Sequence, residues 1–511
     1  MPIKVKSLAI VSLFALPLWL GGNASPNVVL LMGDDHGWEE TAYNGHPYLH
    51  TPALDEMAAS GLRLDRFFSA SPVCSPTRGS VITGRHPNRY GTFTPNRSIR
   101  PEEMGIAHVA KAAGYRSGHF GKWHLGPVKS ESPTNPGAMG FDEWLSHDNF
   151  FEMDPYLSRN GGPPERFKGE SSEILVEETI RFIGAAKQNE KPFLAVVWFG
   201  SPHEPYSGLK EDLALYADLP AEYGEESVKL TSMETGLPVR RPFDEVLRER
   251  YAEITAMDRA IGQLRDYLAE AGLLENTLVW YCGDNGIPSS GNIDTPFRGQ
   301  YGNVYDGGIR VPGIIEWPQR IKTPRHSNVI TVTSDIFPTL CQLVGQPVPD
   351  RPLDGISLLP LIEGELDQRP QPIFFWEYTN PIGEDAEPYI DPALQAGTTP
   401  LVKQMNGIFT RNFRNFHHPD ITDKDFEGPR AVVDNRYKLV IHEERDGEVS
   451  RELFDMILDP AEERDLSKDL PRLAESMEKL LGSWQRSVLN SLTGADYGSV
   501  ASRERSLYRK P

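Results

Sequence analysis

Cys74 stands in the run Pro72-Val73-Cys74-Ser75-Pro76-Thr77-Arg78, which continues through Thr83-Gly84-Arg85. Pro76 has no backbone donor and suits the first position of a helix, so the spacing predicts that Cys74 sits just ahead of exposed helix-start amides, where anions are favoured. Arg78, one turn further on, adds a planar fork able to hold the oxygens of residue 74 or a tetrahedral anion. These residue types suggest nucleophilic attack on an anionic centre. A bare Cys-x-Pro-x-Arg suits a buried structural cysteine at least as well, so the reading depends on partners elsewhere in the chain.

Oxygen donors recur where strands are expected to end. Asp34 and Asp35 follow the apolar run 27–32, and Asp284 and Asn285 follow the apolar run 277–282. Each pair alone is ordinary turn chemistry. If both runs are strands of one parallel sheet, their carboxyl ends converge on a single hard cation, and all-oxygen ligation favours calcium or magnesium over zinc. Calcium is preferred because its larger, flexible shell tolerates several carboxylates together with an oxygen from residue 74. Lys122 and His124 follow a third expected strand. Two residues apart in an extended segment, they point the same way, one able to hold negative charge and the other to move a proton. His203, in Ser201-Pro202-His203-Glu204-Pro205, lies beyond a fourth apolar run.

These groups need elements to carry them. Apolar runs at 27–32, 115–120, 192–199 and 277–282 alternate with helical patterns at 52–60, 106–113, 174–186, 243–271 and 335–344. That rhythm predicts an α/β fold with a large, mostly parallel sheet sandwiched by helices. Beyond residue 370 the texture changes to short strands and one terminal helix, predicting a smaller C-terminal α+β subdomain with an antiparallel sheet. The expected division is a leader at 1–24, a catalytic body at 25–365 and a C-terminal subdomain at 366–511. A charged insertion at 207–242 is expected on the rim of a site or as a lid. The stretch 383–429, with Asn406, Arg411, Arg414, His417 and His418, lacks periodicity and reads equally as a substrate-facing loop or an irregular surface.

Composition narrows the partners. The net charge of -20 disfavours nucleic acid and anionic membranes, so an anionic substrate requires a locally basic pocket. Lys4 and Lys6 precede the apolar run 8–20, followed by Gly21, Gly22 and Ala24. This pattern predicts a secretory signal cleaved near Ala24, and hence a secreted or periplasmic protein. The run is short and broken by Pro17, so stable membrane insertion is not expected. With Cys74 set aside, Cys282 and Cys341 fall in apolar segments and do not make a disulfide framework.

The Cys74-to-Arg85 signature and the ordered series of acidic, basic and imidazole groups resemble the formylglycine-dependent type I sulfatases of the alkaline phosphatase superfamily, from about residue 27 to the C-terminus. Tyr305-Asp306-Gly307-Gly308-Ile309-Arg310-Val311-Pro312 resembles that family's Glu-Gly-Gly-Ile-Arg-Val-Pro region. The resemblance implies that a maturation system oxidises Cys74 to formylglycine. It also implies that Asp34, Asp35, Asp284, Asn285 and residue 74 hold calcium, and that Arg78, Lys122, His124 and His203 surround them. A hydroxyl of hydrated formylglycine would attack sulfur while His203 protonates the leaving oxygen. His124 would then deprotonate the second hydroxyl of the hemiacetal sulfate, restoring the aldehyde.

The chain departs from the family at Tyr301, which replaces the usual sulfate-binding lysine and carries no positive charge near neutral pH. Tyr301 still offers one hydrogen bond, and two readings stand: Arg298, nearby in sequence, substitutes for the lysine, or the pocket holds sulfate with a weaker clamp. The implied substrate contacts are therefore Lys122, His203, Arg298 and Tyr301. The expected activity is hydrolysis of sulfate monoesters of a sulfated saccharide. A phosphate or phosphonate ester hydrolase on the same scaffold, or a non-catalytic saccharide-binding relative, are the alternatives.

Overall fold

The computed structural model describes residues 25–232, 235–293, 295–379, 386–401, 410–418, 420–443 and 448–497. The expected leader at 1–24 and Asn406 lie outside them. Four strands form the centre of a ten-stranded sheet: Asn27–Gly33 (β1), Arg116–Lys122 (β2), Phe193–Trp198 (β3) and Thr277–Gly283 (β4). They lie side by side in the order β4-β1-β3-β2, all parallel. Such strands are buried on both faces, which is why their sequences are near-continuous apolar runs rather than alternating ones.

The two faces are covered by different helices. Val28, Leu30, Met32, Val196, Trp198 and Trp280 pack with Val81, Ile106 and Phe337 on one side. Val29, Leu31, Val197 and Val279 pack with Leu54, Leu175, Phe182, Met257 and Ile261 on the other. Toward its edges the sheet becomes antiparallel, with Gly313–Glu316 against β4 and Tyr156–Arg159 against Glu143–His147. The architecture is therefore a mixed sheet, parallel at its centre and flanked by helices, as expected.

Register decides where the chemistry falls. Gly33 lies opposite Gly283, and Gly121 opposite Trp198, which in turn faces Met32. Four strands thus end level, and the residues that follow them share one rim, the carboxyl edge at which open α/β sheets hold ligands. Gly121 shows how tightly that rim is built. It adopts φ +104, and a Cβ there would lie 1.9 Å from the Trp198 carbonyl oxygen, so only glycine fits beside Lys122.

Helix placement agrees with the apolar periodicity, with one adjustment. Pro52–Ser60 (α1) is followed by Cys74–Thr83 (α2), so α2 starts at Cys74 and not at Pro76. Pro76 is the third helical residue, where its missing amide costs nothing because first-turn amides have no intrahelical acceptor. All ten residues of α2 are buried. Two long helices, Ser171–Gln188 (α3) and Phe243–Glu270 (α4), cross the same face of the sheet. Leu247, Tyr251, Ile254, Met257 and Ile261 form the buried stripe of α4.

The C-terminal sheet comprises Ile373–Trp376 (β5), Arg430–Val433 (β6), Tyr437–Glu443 (β7) and Val449–Asp455 (β8), all antiparallel. One face packs on Phe68, Val304, Ile309 and Val332 of the larger body. The other is covered by Pro471–Leu492 (α5) through Met477, Leu481, Trp484 and Val488. Among the described residues no helix is long and apolar enough to cross a membrane.

Candidate active site

Asp34 and Asp35 leave β1, Asp284 and Asn285 leave β4, His203 lies in the loop after β3, and Lys122 is the last residue of β2. The β1 and β3 exits are laced together, since Asp34 N donates to Ser201 O at 2.9 Å and Phe199 N to Met32 O at 2.9 Å. Cys74 opens α2 beneath them, 1% exposed.

The cations are spoken for by the acids. Lys122 Nζ donates to Asp34 Oδ2 at 2.6 Å. Arg78 Nη2 donates to Asp284 Oδ2 at 2.7 Å and lies 3.3 Å from Asp34 Oδ1. Its guanidinium also lies over the Trp198 ring, 5.2 Å from the centroid. Asp284 Oδ1 accepts from Asp35 N at 2.8 Å, and Asn285 Nδ2 donates to Asp35 Oδ1 at 2.7 Å. The Cys74 thiol lies 3.8 Å from Asp35 Oδ1, and His203 Nε2 lies 3.8 Å from Asp35 Oδ2.

Ligating atoms of Asp34, Asp35, Cys74 and His203 all fall within 4.8 Å of one another. Asp34 Oδ1 and Asn285 Oδ1 are buried without a hydrogen-bond partner, and a buried acceptor left unsatisfied is costly. Burial, and next the charge on Asp34, pushes the Asp284 carboxyl up to about 8. Burial also works to raise Asp34, but Lys122, His203 and Arg78 overcome it and hold that carboxyl well below the usual range. Three crowded carboxyl groups, together with two buried oxygens that accept no hydrogen bond, fit a hard divalent cation.

The remaining groups are tuned by the same burial. Burial foremost, followed by the neighbouring carboxylates, holds the Cys74 thiol well above its ordinary value even against Lys122. An unmodified thiol here is therefore un-ionised and a weak nucleophile. His124 has φ +57, so the segment after Lys122 turns and is not extended as the spacing suggested. Its two ring nitrogens are buried without hydrogen-bond partners. Burial, with the charges of Lys122, Arg411 and Arg78, keeps the ring neutral. His203 stacks on Phe150 with centroids 4.6 Å apart and bonds the Glu204 carbonyl through Nδ1, leaving an 18% exposed side chain turned to the rim.

Tyr301 faces the cluster. Burial first, and then Cys74, Asp35, Asp284 and Asp34, keep its phenol protonated. Its loop is fixed by Tyr301 N to Ile287 O at 2.9 Å and Gly302 N to Pro72 O at 3.0 Å. Arg298 is not brought to the site. Its Nη1 donates to Glu452 at 2.9 Å, and the guanidinium lies over the Tyr305 ring, 4.1 Å from the centroid. It belongs to the seam with the C-terminal sheet, so the expectation that it replaces the missing charge is corrected. The insertion does border the rim, since Thr231 N in its hairpin donates to Glu204 Oε1 at 2.6 Å beside His203.

One supporting group escaped the sequence reading. Arg250, wholly buried on α4, donates to both Glu40 oxygens at 2.6 and 2.7 Å, to Pro202 O at 2.6 Å and to Asp35 O at 2.6 Å. It ties the exits of β1 and β3 to one helix. A signal existed: Arg250 falls within the apolar stripe of Leu247, Tyr251 and Ile254, where a charge must have a buried partner. Arg411, in the stretch 383–429 that reads equally as a substrate-facing loop or an irregular surface, comes near Cys74 and Tyr301.

A family model described as Sulfatase matches residues 26–346. N-acetylgalactosamine-6-sulfatase of Canis lupus familiaris is 32% identical over 396 residues, covering 70% of this chain and 69% of that protein. The ulvan-active sulfatase of Formosa agariphila is 33% identical over 345 residues, covering 66% and 65%. The crystal structure of Ps i-CgsB in complex with k-i-k-neocarrahexaose superposes with a TM-score of 0.72 at 20% identity, over 96% of this chain and 98% of that one, a likeness of fold. The chain belongs to the sulfatase family and is a sulfuric ester hydrolase.

Proposed function

We propose that this protein is exported and hydrolyses sulfate monoesters of a sulfated saccharide, with Cys74 converted to formylglycine by a maturation system and a hemiacetal sulfate on that residue as the covalent intermediate. The observation that carries the reading is the convergence of Cys74, the oxygen donors Asp34, Asp35, Asp284 and Asn285, and the cations Arg78 and Lys122 on one rim. The saccharide half draws on relatives named for N-acetylgalactosamine-6-sulfate and ulvan chemistry.

A sulfate ester is anionic, so attack on it requires positive charge at the sulfur oxygens and a proton for the departing alcohol. Arg78 and Lys122 orient the oxygens of residue 74 and offset charge there. His203, partly exposed at the mouth, donates the proton to the leaving oxygen. His124, neutral and with both nitrogens free of other bonds, accepts the proton from the second hydroxyl of residue 74. That transfer breaks the carbon–oxygen bond to sulfate and regenerates the aldehyde, an exit closed to a thiol. Calcium bound by Asp34, Asp35, Asp284, Asn285 and residue 74 would supply Lewis-acid charge at that oxygen.

The test is a side-by-side assay of matured protein on sulfated mono- and oligosaccharides, an aryl sulfate and the matching phosphate esters. Turnover of sulfate esters above phosphate esters is expected. Faster phosphate-ester turnover would reject the assignment in favour of a phosphohydrolase on the same scaffold.

A further inference from the structure

The two cations of the rim are already committed to carboxylates, and the flank where a third charge would stand holds Tyr301. The structure places another cation near Cys74 and Tyr301. Arg411 lies in the stretch 410–418, whose backbone is tied to residues 386–401 and to Asn96. Ala396 bridges Asn412 in antiparallel fashion, and Gly397 N donates to Arg411 O at 2.9 Å. Phe413 N donates to Gln395 O at 2.9 Å, and Arg414 N to Asn96 O at 2.8 Å. Asp148, just past the strand Glu143–His147 that pairs with β2, accepts from Thr398 N at 2.7 Å and Thr399 N at 2.9 Å. Phe413 meets the His124 ring edge-on, with centroids 6.3 Å apart. A Cβ on Gly397 would lie 2.2 Å from the Arg411 carbonyl oxygen, so the backbone at Arg411 has little room to move.

The side chain so held lacks a counterion. Arg411 Nε is buried without a hydrogen-bond partner, and among the described residues no carboxylate pairs with the guanidinium. The groups that feel its charge are Cys74, Tyr301 and His124. A desolvated cation without a partner is costly and calls for an anion at that spot. Every other cation close to Cys74 has one built into the protein, as Arg78 has Asp284 and Lys122 has Asp34.

We propose that Arg411 binds the sulfate group of the substrate, supplying from the C-terminal flank the positive charge that Tyr301 does not carry. This rests on the sulfatase reading. Its planar fork can take two sulfate oxygens at once, with the Tyr301 hydroxyl donating to the sulfate from its own side.

The experiment measures kcat and KM on a sulfated saccharide and an aryl sulfate, and Ki for inorganic sulfate, in the matured wild type, Arg411→Met, Arg411→Lys and Arg411→Met/Tyr301→Lys. Loss of a charged contact is expected to raise both KM values and the sulfate Ki about tenfold or more in Arg411→Met. Arg411→Lys should recover part of the loss, and the added lysine at 301 should restore sulfate inhibition. Thermal unfolding of each variant checks that the fold is kept, and Arg411→Lys decides the matter should Arg411→Met fail to fold. An unchanged sulfate Ki in the folded variants would overturn the proposal, as would a KM increase confined to the saccharide, which would assign Arg411 to the sugar. A wild type that turns over the matching phosphate ester and no sulfate ester, with that turnover inhibited by inorganic sulfate through Arg411, would reject the sulfatase reading and leave the anion site standing.

Discussion

The rim of the large sheet and the stretch 410–418 come together near Cys74 by different physics. On the rim, four parallel strands ending in register deliver Asp34, Asp284, Lys122 and His203, and each charge is answered by another: Lys122 by Asp34, Arg78 by Asp284. Among the described residues, 386–401 and 410–418 make isolated bridges and no sheet. Backbone bonds to Asp148 and Asn96 hold them to the rest of the chain, and Arg411 stands there without a counterion among the described residues. A centre that must bring sulfur, nucleophile and proton carriers together tolerates little displacement, and strand register supplies that rigidity. A surface that selects one ester from others can be changed loop by loop without disturbing the chemistry.

Substitutions should separate the two regions. Cys74→Ala removes the attacking group and is expected to lower kcat by at least about a thousandfold, with thermal stability kept; substantial turnover by a verified homogeneous variant would place the nucleophile elsewhere. Next comes Arg250→Met, which strands the buried Glu40 carboxylate and frees the Asp35 and Pro202 carbonyls. A loss of about 3–5 kcal/mol in unfolding free energy is expected, and Glu40→Gln in the same chain should recover part of it. If Arg250→Met costs nothing, the rim does not depend on α4.

Burial and the charge on Asp34 push Asp284 up to about 8, so it gives up a proton less readily than an ordinary carboxyl, and a ligating carboxylate must be ionised. Calorimetry in buffers of differing ionisation enthalpy should therefore record proton release on calcium binding at pH 7, fading as pH approaches 8 and above. Chelation should abolish turnover. Proton uptake, or none, would remove Asp284 from the ligand set.

Within 386–401, Gly397→Ala would drive a methyl group toward the Arg411 carbonyl. Overpacking of this sort costs about 1–3 kcal/mol locally, and the expected readout is a severalfold rise in KM with kcat little changed. A fall in kcat instead would mean that this stretch shapes the reacting centre itself.

The smallest effect lies away from both regions and calibrates them. Burial raises Asp258 from 3.8 to about 7, opposed by hydrogen bonds from Ala53 N and Leu54 N. The folded state holds this proton more tightly than the unfolded chain does. The group's contribution is therefore greatest below 3.8 and is lost as pH rises toward about 7. Denaturant titrations should show Asp258→Asn gaining on the wild type across that window and running parallel above it. Parallel behaviour throughout would mean that Asp258 is not held protonated in the folded state.

Much of the rim was legible because buried parallel strands leave an unmistakable signature: apolar runs that stop abruptly at Asp34-Asp35 and at Asp284-Asn285. The helix at Cys74 was legible too, displaced by two residues because proline is tolerated anywhere in a first turn. Side-chain direction was not legible. Nothing near Arg298 in sequence announces that Glu452, on a strand of the other sheet, will capture it. The left-handed turn at His124 was equally hidden, since no glycine or asparagine marks it. Arg411 sits in a stretch without periodicity, where pattern reading has no period to use and only tertiary bonds fix the chain.

If the rim assembles around an aldehyde at position 74, mass spectrometry of the peptide spanning that residue, in active protein from its native source, should find formylglycine or its hydrate in place of the thiol, in proportion to specific activity. Fully active protein carrying only cysteine at position 74 would rule that aldehyde out.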